Sequence, residues 1–183
     1  MIDANDANAT KPQLLERILA SKAAWRAAAE AIPDAAMTRP VLAGGWSGKD
    51  LLAHVAYFER WTAAHLQAAT EGRDPTSMEL YGQDLAPDGS PDDPGGWDLD
   101  RENAAIHARY RDVPLAEVLA FADHAHDALV AALEAAPEAD LARPGAQAWA
   151  NGQSLLEFIP GQSWRHVEEH IDALRSLAGK DVV

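Results

Sequence analysis

The chain contains no cysteine among its 183 residues. This absence excludes disulfide bonds, thiolate metal ligands and a cysteine nucleophile, and it is compatible with a reducing compartment. No uninterrupted apolar run approaches the roughly 20 residues that a membrane-spanning helix requires, so we expect no membrane partner. The amino-terminal segment is polar and acidic, without a basic region followed by an apolar run, and predicts no secretory signal. We therefore expect a cytoplasmic protein.

Basic residues are also scarce. Fifteen Lys and Arg face 29 Asp and Glu, which gives a formal net charge of −14. Such a surface repels phosphate backbones, so we expect neither nucleic acid nor an anionic membrane as a partner. The length suits one domain with a sizeable core, spanning 1–183, and we expect residues 1–9 to form a disordered tail.

Segments with the alternating pattern of a β-strand are absent as well, whereas alanine-rich stretches with helical spacing of apolar residues are frequent. The predicted helices span about 10–32, 47–72, 98–110, 114–136 and 154–177. Four of them are long, and each has an apolar stripe that must be buried against its neighbours. The sequence therefore predicts an all-α fold, a four-helix bundle with long crossover loops.

Capping signals and apolar stripes define these helices more closely. Thr10 with Gln13 and Ser154 with Glu157 form capping boxes, and Ser47 caps the second helix. In the first helix, the apolar residues at helical spacing are Leu14, Leu15, Ile18, Leu19 and Trp25. The expected buried stripe of the second helix is Leu51, Val55, Phe58, Thr62 and Leu66.

Proline and glycine mark the interruptions. Pro160 and Gly161 should kink or break the last helix. The segment 73–97 holds four prolines and a Gly-Gly pair. It is the one long irregular stretch, and such loops are usually mobile or line a site opening.

Three histidines form the most informative pattern for function. His166 and His170 are four residues apart, one helical turn plus about 40°, so both imidazoles point the same way. His54 lies on the second helix, and all three flank an apolar stripe. Two ligands from one helix and one from a neighbour leave an open coordination position, which metal-assisted chemistry needs. Alternatively, such histidines are only hydrogen-bonded to a carbonyl or carboxylate.

The other histidines fit this site less well. His65 lies about 16 Å along the helix from His54, too far to share an ion. His124 and His126 point to opposite faces and are not a chelating pair. His107 follows Asn103 by one turn, and this pair could line a pocket or simply form a solvated face. We take both as candidate catalytic residues, with Trp46 and Trp97 as candidate apolar walls.

Two sequence segments resemble a known superfamily. The pattern LLAHVAYFERW at 51–61, followed by WRHVEEH at 164–170, resembles the DinB/YfiT-like superfamily of four-helix bundles. In that superfamily, one His of the second helix and a His-x-x-x-His pair of the last helix bind a divalent metal. The resemblance implies that His54, His166 and His170 are metal ligands, with Zn²⁺ or Ni²⁺ the expected ion. The segment WDLDRENAAIHARYRDVPLAEV at 97–118 is similar to the ClbS/DfsB branch.

The resemblance also implies classes of activity. The superfamily includes thiol-dependent S-transferases, among them the N-terminal domain of mycothiol-dependent maleylpyruvate isomerase, whereas ClbS-like proteins hydrolyse a strained electrophilic ring in a genotoxin. We therefore expect a metal-dependent enzyme that acts on a small electrophilic substrate, with a low-molecular-weight thiol or water as nucleophile. Two alternatives stay open: a protein that sequesters a small toxic molecule without turnover, and a purely structural helical dimer. Because many such bundles pair, we expect a homodimer.

Overall fold

The computed structural model of the chain describes residues 9–76, 79–80, 99–144 and 152–178. Four long helical elements dominate these ranges: α1 (Lys11–Glu30), α3 (Gly48–Thr70), α5 (Leu115–Ala135), and the last helix, which is divided into α7 (Leu155–Gln162) and α8 (Trp164–Arg175). The shorter helices are α2 (Asp34–Met37), α4 (Leu99–Tyr110) and α6 (Glu138–Leu141), and a 3₁₀ turn covers Ala43–Gly45. The described residues include no β-strand. The predicted all-α helical bundle is confirmed.

Helix α3 is the central element of the bundle. Seventeen of its 23 residues are buried, and a helix that is buried on nearly every side belongs in the core. It packs most extensively along α5, while α1 packs along α8. The predicted stripe of this helix, from Leu51 to Leu66, is buried throughout. This central position explains why α3 also carries buried polar side chains, which must find partners inside the bundle.

The local signals for helix ends are confirmed. Capping boxes are present at Thr10, Ser47 and Ser154. The last helix breaks where proline and glycine predicted it. Ser163 leaves the helical conformation (φ −130°, ψ −108°), and its hydroxyl donates to the carbonyl of Ile159 at 2.7 Å. Because Pro160 has no backbone N–H and crowds the preceding turn, the helix cannot continue unchanged through this point. The break sets the direction of α8.

The first helix differs from the prediction. Leu14, Ile18 and Trp25 are buried, whereas Leu19, which shares their helical spacing, is 52% exposed. The helix ends at Glu30, two residues before the predicted end. Only a narrow face of α1 packs against the bundle, so side chains beside that face are exposed to solvent.

The predicted irregular segment and tail are only partly described. Glu79 and Leu80 are helical, and the guanidinium of Arg73 donates to the Glu79 carboxylate at 2.6 Å. Residues 77–78 and 81–97 of the 73–97 segment, Trp97 among them, lie outside the described residues, as do residues 1–8 of the expected tail. The single-domain organisation stays a prediction.

None of the helices in the described ranges is both long and apolar enough to cross a lipid bilayer.

Gly48 provides a test of how tightly α3 packs at its first turn. A Cβ atom at this position would lie 2.5 Å from Met37 Sδ and 2.8 Å from Leu177 Cδ1. Both side chains are buried, so we expect Gly48→Ala to destabilise the protein by about 1–3 kcal/mol through overpacking. Gly161→Ala is the matched control, because a Cβ there meets no atom within 4 Å and alanine favours helix. Urea unfolding of both variants measures the difference, and equal stabilities would contradict the prediction.

Candidate metal centre

The three histidines singled out by the sequence meet between α3 and α8. His54 lies on the second turn of α3, and His166 and His170 lie on successive turns of α8. Their ring centroids are 4.6 Å (His54–His166), 4.9 Å (His54–His170) and 4.9 Å (His166–His170) apart. One nitrogen of each ring lies within 4.8 Å of the others. The break before Trp164 and the packing of α8 against α3 therefore bring together side chains 112 residues apart in sequence.

His54 and His166 are in direct contact. Their Nε2 atoms are 2.8 Å apart, so one of the two nitrogens donates a hydrogen and the other accepts it. The Nδ1 atoms of both rings are buried and have no hydrogen-bond partner within the described ranges. Two nitrogens bound to one tetrahedral zinc at about 2.0–2.1 Å lie about 3.3 Å apart, so small side-chain rotations would accommodate an ion. The donor set and its spacing fit a divalent metal.

Burial keeps all three imidazoles neutral. Desolvation, with added repulsion from His166 and His170, lowers the pKa of His54 to about 3. Desolvation and His170 lower the pKa of His166 to about 4. Burial also lowers the pKa of His170, against the opposing effect of Glu169. Because only the neutral ring offers a lone pair to a metal, the site is ready to bind an ion near neutral pH.

Aromatic rings enclose the cluster. Phe58 meets His54 and His166 edge-on, each with ring centroids 5.1 Å apart. Trp46 packs edge-on against His54 at 5.4 Å, which agrees with its expected place beside the site. For Phe58 the helical spacing predicted a core position alone. Its position one turn after His54 was the available signal, since residues four apart share a helix face.

His107 is connected to the cluster by Trp46, whose ring contacts both His54 and His107. The rings of Trp46 and His107 stack at 5.2 Å with an interplanar angle of 10°. His107 Nε2 also lies 3.6 Å from the Oδ2 of Asp50. Burial raises the pKa of Asp50, but hydrogen bonds from Ser47 and the charge of Lys49 outweigh it and hold that pKa below its ordinary value. A charged carboxylate therefore faces His107.

Asn103, the other candidate catalytic residue, is half-buried on α4. Its Oδ1 is buried and has no hydrogen-bond partner in the part of the chain that the structure describes, so it is not bonded to any of the three histidines. Its side-chain oxygen is available to a group that enters beside α4.

The remaining histidines stay apart from the cluster. His65 Nδ1 lies 2.9 Å from the carbonyl of Trp61, and His124 is exposed. His126 is buried, and its Nδ1 lies 3.1 Å from Glu59 Oε1. Sequence reasoning missed this pair, because residues 67 apart carry no spacing signal and meet only through the packing of α3 against α5.

Two solved structures show the same fold. An uncharacterised protein from Escherichia coli UTI89 is 16% identical and has a TM-score of 0.68, with 92% of each chain covered. A protein from Streptococcus pneumoniae is 13% identical and has a TM-score of 0.71, covering 92% of this chain and 90% of that one. No protein with a curated description matches significantly.

Family comparison is more specific. Residues 18–172 match the family described as the mycothiol maleylpyruvate isomerase N-terminal domain. This is a DinB-like helical family, so the resemblance seen in the sequence is confirmed at that level. The match spans most of the bundle, from α1 into α8, and includes all three clustered histidines. The chain belongs to the mycothiol maleylpyruvate isomerase N-terminal domain family.

Proposed function

We propose that the protein is a metal-dependent enzyme that acts on a small electrophilic molecule, by transferring a low-molecular-weight thiol or by adding water. The observation that carries this proposal is the convergence of three neutral imidazoles from two helices, of which His54 and His166 are buried and His170 is half-buried. Family membership supports a thiol as the co-substrate, because the family takes its description from mycothiol maleylpyruvate isomerase.

His54, His166 and His170 would hold the ion, with Zn²⁺ or Ni²⁺ suited to imidazole donors. A divalent ion with three protein ligands supplies a Lewis acid and lowers the pKa of a thiol or water in its open position. Phe58 and Trp46 limit the access of bulk water to the rings, and the low-dielectric surroundings strengthen electrostatic interactions inside the site.

His107 and Asn103 would contact the substrate, His107 in proton transfer and Asn103 through a hydrogen bond. The Asp50 carboxylate lies 3.6 Å from His107 Nε2, and the His107 imidazole would take up or release a proton beside Trp46. The unpaired Oδ1 of Asn103 would accept a hydrogen bond from the substrate.

Metal content and turnover test the proposal together. Protein purified without chelator should carry one divalent ion per chain, or bind one from micromolar Zn²⁺ or Ni²⁺. With that ion, a panel of small epoxides and unsaturated carbonyl compounds, incubated with a cysteine-based thiol, should yield thiol or water adducts by mass spectrometry. Protein treated with chelator should yield none. A wild-type protein that neither carries nor binds metal would refute the proposal.

His107→Gln separates chemistry from metal binding. We expect a turnover rate about 10²–10⁴-fold lower, the usual contribution of a positioned acid or base, with metal content unchanged. His124→Gln, at an exposed histidine outside the cluster, is the matched control. Unchanged turnover in His107→Gln would exclude a role for this residue in proton transfer.

A second candidate function is a ClbS/DfsB-type protein that binds and sequesters a small toxic molecule. The similarity of residues 97–118 to that branch favours it. It predicts stoichiometric uptake of the molecule with no product by mass spectrometry, with or without metal. The proposed homodimer is checked by sedimentation in the same samples.

A further inference from the structure

We propose a second small-molecule site, separate from the three histidines, in a cavity between α1, α3 and α5. Its ligand is an uncharged, mainly apolar alcohol or phenol, and the hydroxyl of that ligand hydrogen-bonds to the buried His126–Glu59 pair.

The cavity is large enough for such a ligand. Its volume is about 320 Å³. Known small-molecule pockets begin at about 300 Å³, and a cavity of about 150 Å³ holds benzene. Its apolar walls include Trp25, Met37, Leu52, Val55, Leu115 and Val167. A ring with a short alkyl chain would bury its surface against these side chains.

His126 and Glu59 are the polar feature of this cavity. Both line it, and their side chains are 3% and 9% exposed. His126 Nδ1 lies 3.1 Å from Glu59 Oε1, so the carboxylate accepts a hydrogen from Nδ1 and fixes the ring. The Nε2 atom of His126 is buried and has no hydrogen-bond partner among the residues that the structure describes. An unsatisfied buried polar atom destabilises the folded protein, and a ligand group hydrogen-bonded to Nε2 would remove that penalty.

The unpaired nitrogen determines the chemistry of the ligand. With a hydrogen on Nδ1, the neutral ring accepts at Nε2, whereas the protonated ring donates there. A hydroxyl group can donate to the first form and accept from the second. Alcohols and phenols therefore suit the pair in either state.

The charges at the cavity edge argue against an anionic ligand. Lys22 Nζ lies 3.4 Å from Asp123 Oδ1 and 3.5 Å from Asp127 Oδ1. Arg26 lies 3.2 Å from Asp123 and 3.4 Å from Glu30. These cations are neutralised by residues of the protein itself, so an anionic ligand would have to displace an existing partner.

The cavity and the histidine cluster are different places. None of His54, His166 and His170 lines the cavity, although Val167, the neighbour of His166, does. Residues adjacent in a helix point about 100° apart, so α8 presents the two side chains to different spaces. Failure of metal binding would leave this proposal intact.

A matched pair of ligands tests it. We expect 4-butylphenol to bind the wild-type protein about tenfold more tightly than butylbenzene, which lacks only the hydroxyl, in isothermal titration calorimetry. In His126→Phe the preference should disappear while butylbenzene still binds. His170→Ala should leave both affinities unchanged, which shows that the ligands do not occupy the metal site.

Two further measurements do not depend on the stability of His126→Phe. In the wild-type protein, the side-chain Nε2 resonance of His126 should shift with 4-butylphenol and not with butylbenzene. Leu119→Trp, at a 41% exposed residue of the cavity wall, should fill the cavity and weaken both ligands at least about tenfold. Absence of binding, equal affinities for the two ligands, or a preference that survives in His126→Phe would each overturn the proposal.

Discussion

His170→Ala is expected to abolish stoichiometric metal binding and to leave the helical content of the protein intact. The substitution removes one of three imidazoles whose nitrogens lie within 4.8 Å of one another, and two ligands from different helices hold an ion much less firmly than three. We expect the affinity for Zn²⁺ or Ni²⁺ to fall by more than about 100-fold, since even loss of an outer-shell partner commonly costs 10–100-fold. Elemental analysis after dialysis against micromolar metal measures the effect.

The residue suits this test because it is only half-buried, so its truncation leaves a small cavity at most. His124→Ala is the matched control, as it removes an exposed histidine outside the cluster. Equal metal content in wild type and His170→Ala would exclude His170 as a ligand. Loss of metal in His124→Ala as well would show that the bound metal is held elsewhere on the surface.

The metal-free protein is expected to lose stability steeply in mild acid. Histidines of the unfolded chain take up protons at a pKa of about 6.5, whereas folding lowers the pKa of His54 to about 3 and that of His166 to about 4. The unfolded state therefore binds more protons below about pH 6.5, and the free energy of unfolding falls as the pH decreases. From about pH 7.5 to about pH 5 we expect a loss of about 2 kcal/mol for each histidine.

This loss is measured by urea unfolding in the presence of chelator at several pH values between about 7.5 and about 5. His54→Phe keeps a ring of similar size between Trp46 and Phe58 but cannot be protonated. Its stability should therefore fall by about 2 kcal/mol less than that of the wild type over the same range. A wild-type stability that is constant from neutral pH to about pH 5 would contradict the assignment of buried, neutral imidazoles.

Features set by local chemistry could be predicted from the sequence. The capping boxes at Thr10 and Ser154, and the break near Pro160, depend on residues within a few positions of one another. The shared orientation of His166 and His170 follows from helical geometry alone. These predictions needed no knowledge of how the helices pack.

Features set by packing could not be predicted in this way. Spacing placed His54 on a suitable flank of α3, but only the packing of α8 against α3 brings its Nε2 to 2.8 Å from that of His166. Leu19 has the periodicity of a core residue, yet the narrow contact of α1 with the bundle leaves it exposed. The Glu59–His126 pair forms because α3 and α5 lie side by side, which no short motif encodes.

The interruption at Ser163 has an electrostatic consequence. Because α8 starts afresh at Trp164, His166 lies within the first turn of a helix instead of the middle of one. The backbone dipoles of a helix leave a partial positive charge, about half an elementary charge, at its amino end. The carboxyl end of α7, which lies directly before this point, offsets part of that field, and the remainder disfavours imidazolium and favours an anion nearby, such as a thiolate or a carboxylate. An uninterrupted last helix would carry the same histidines without this bias toward negatively charged reactants.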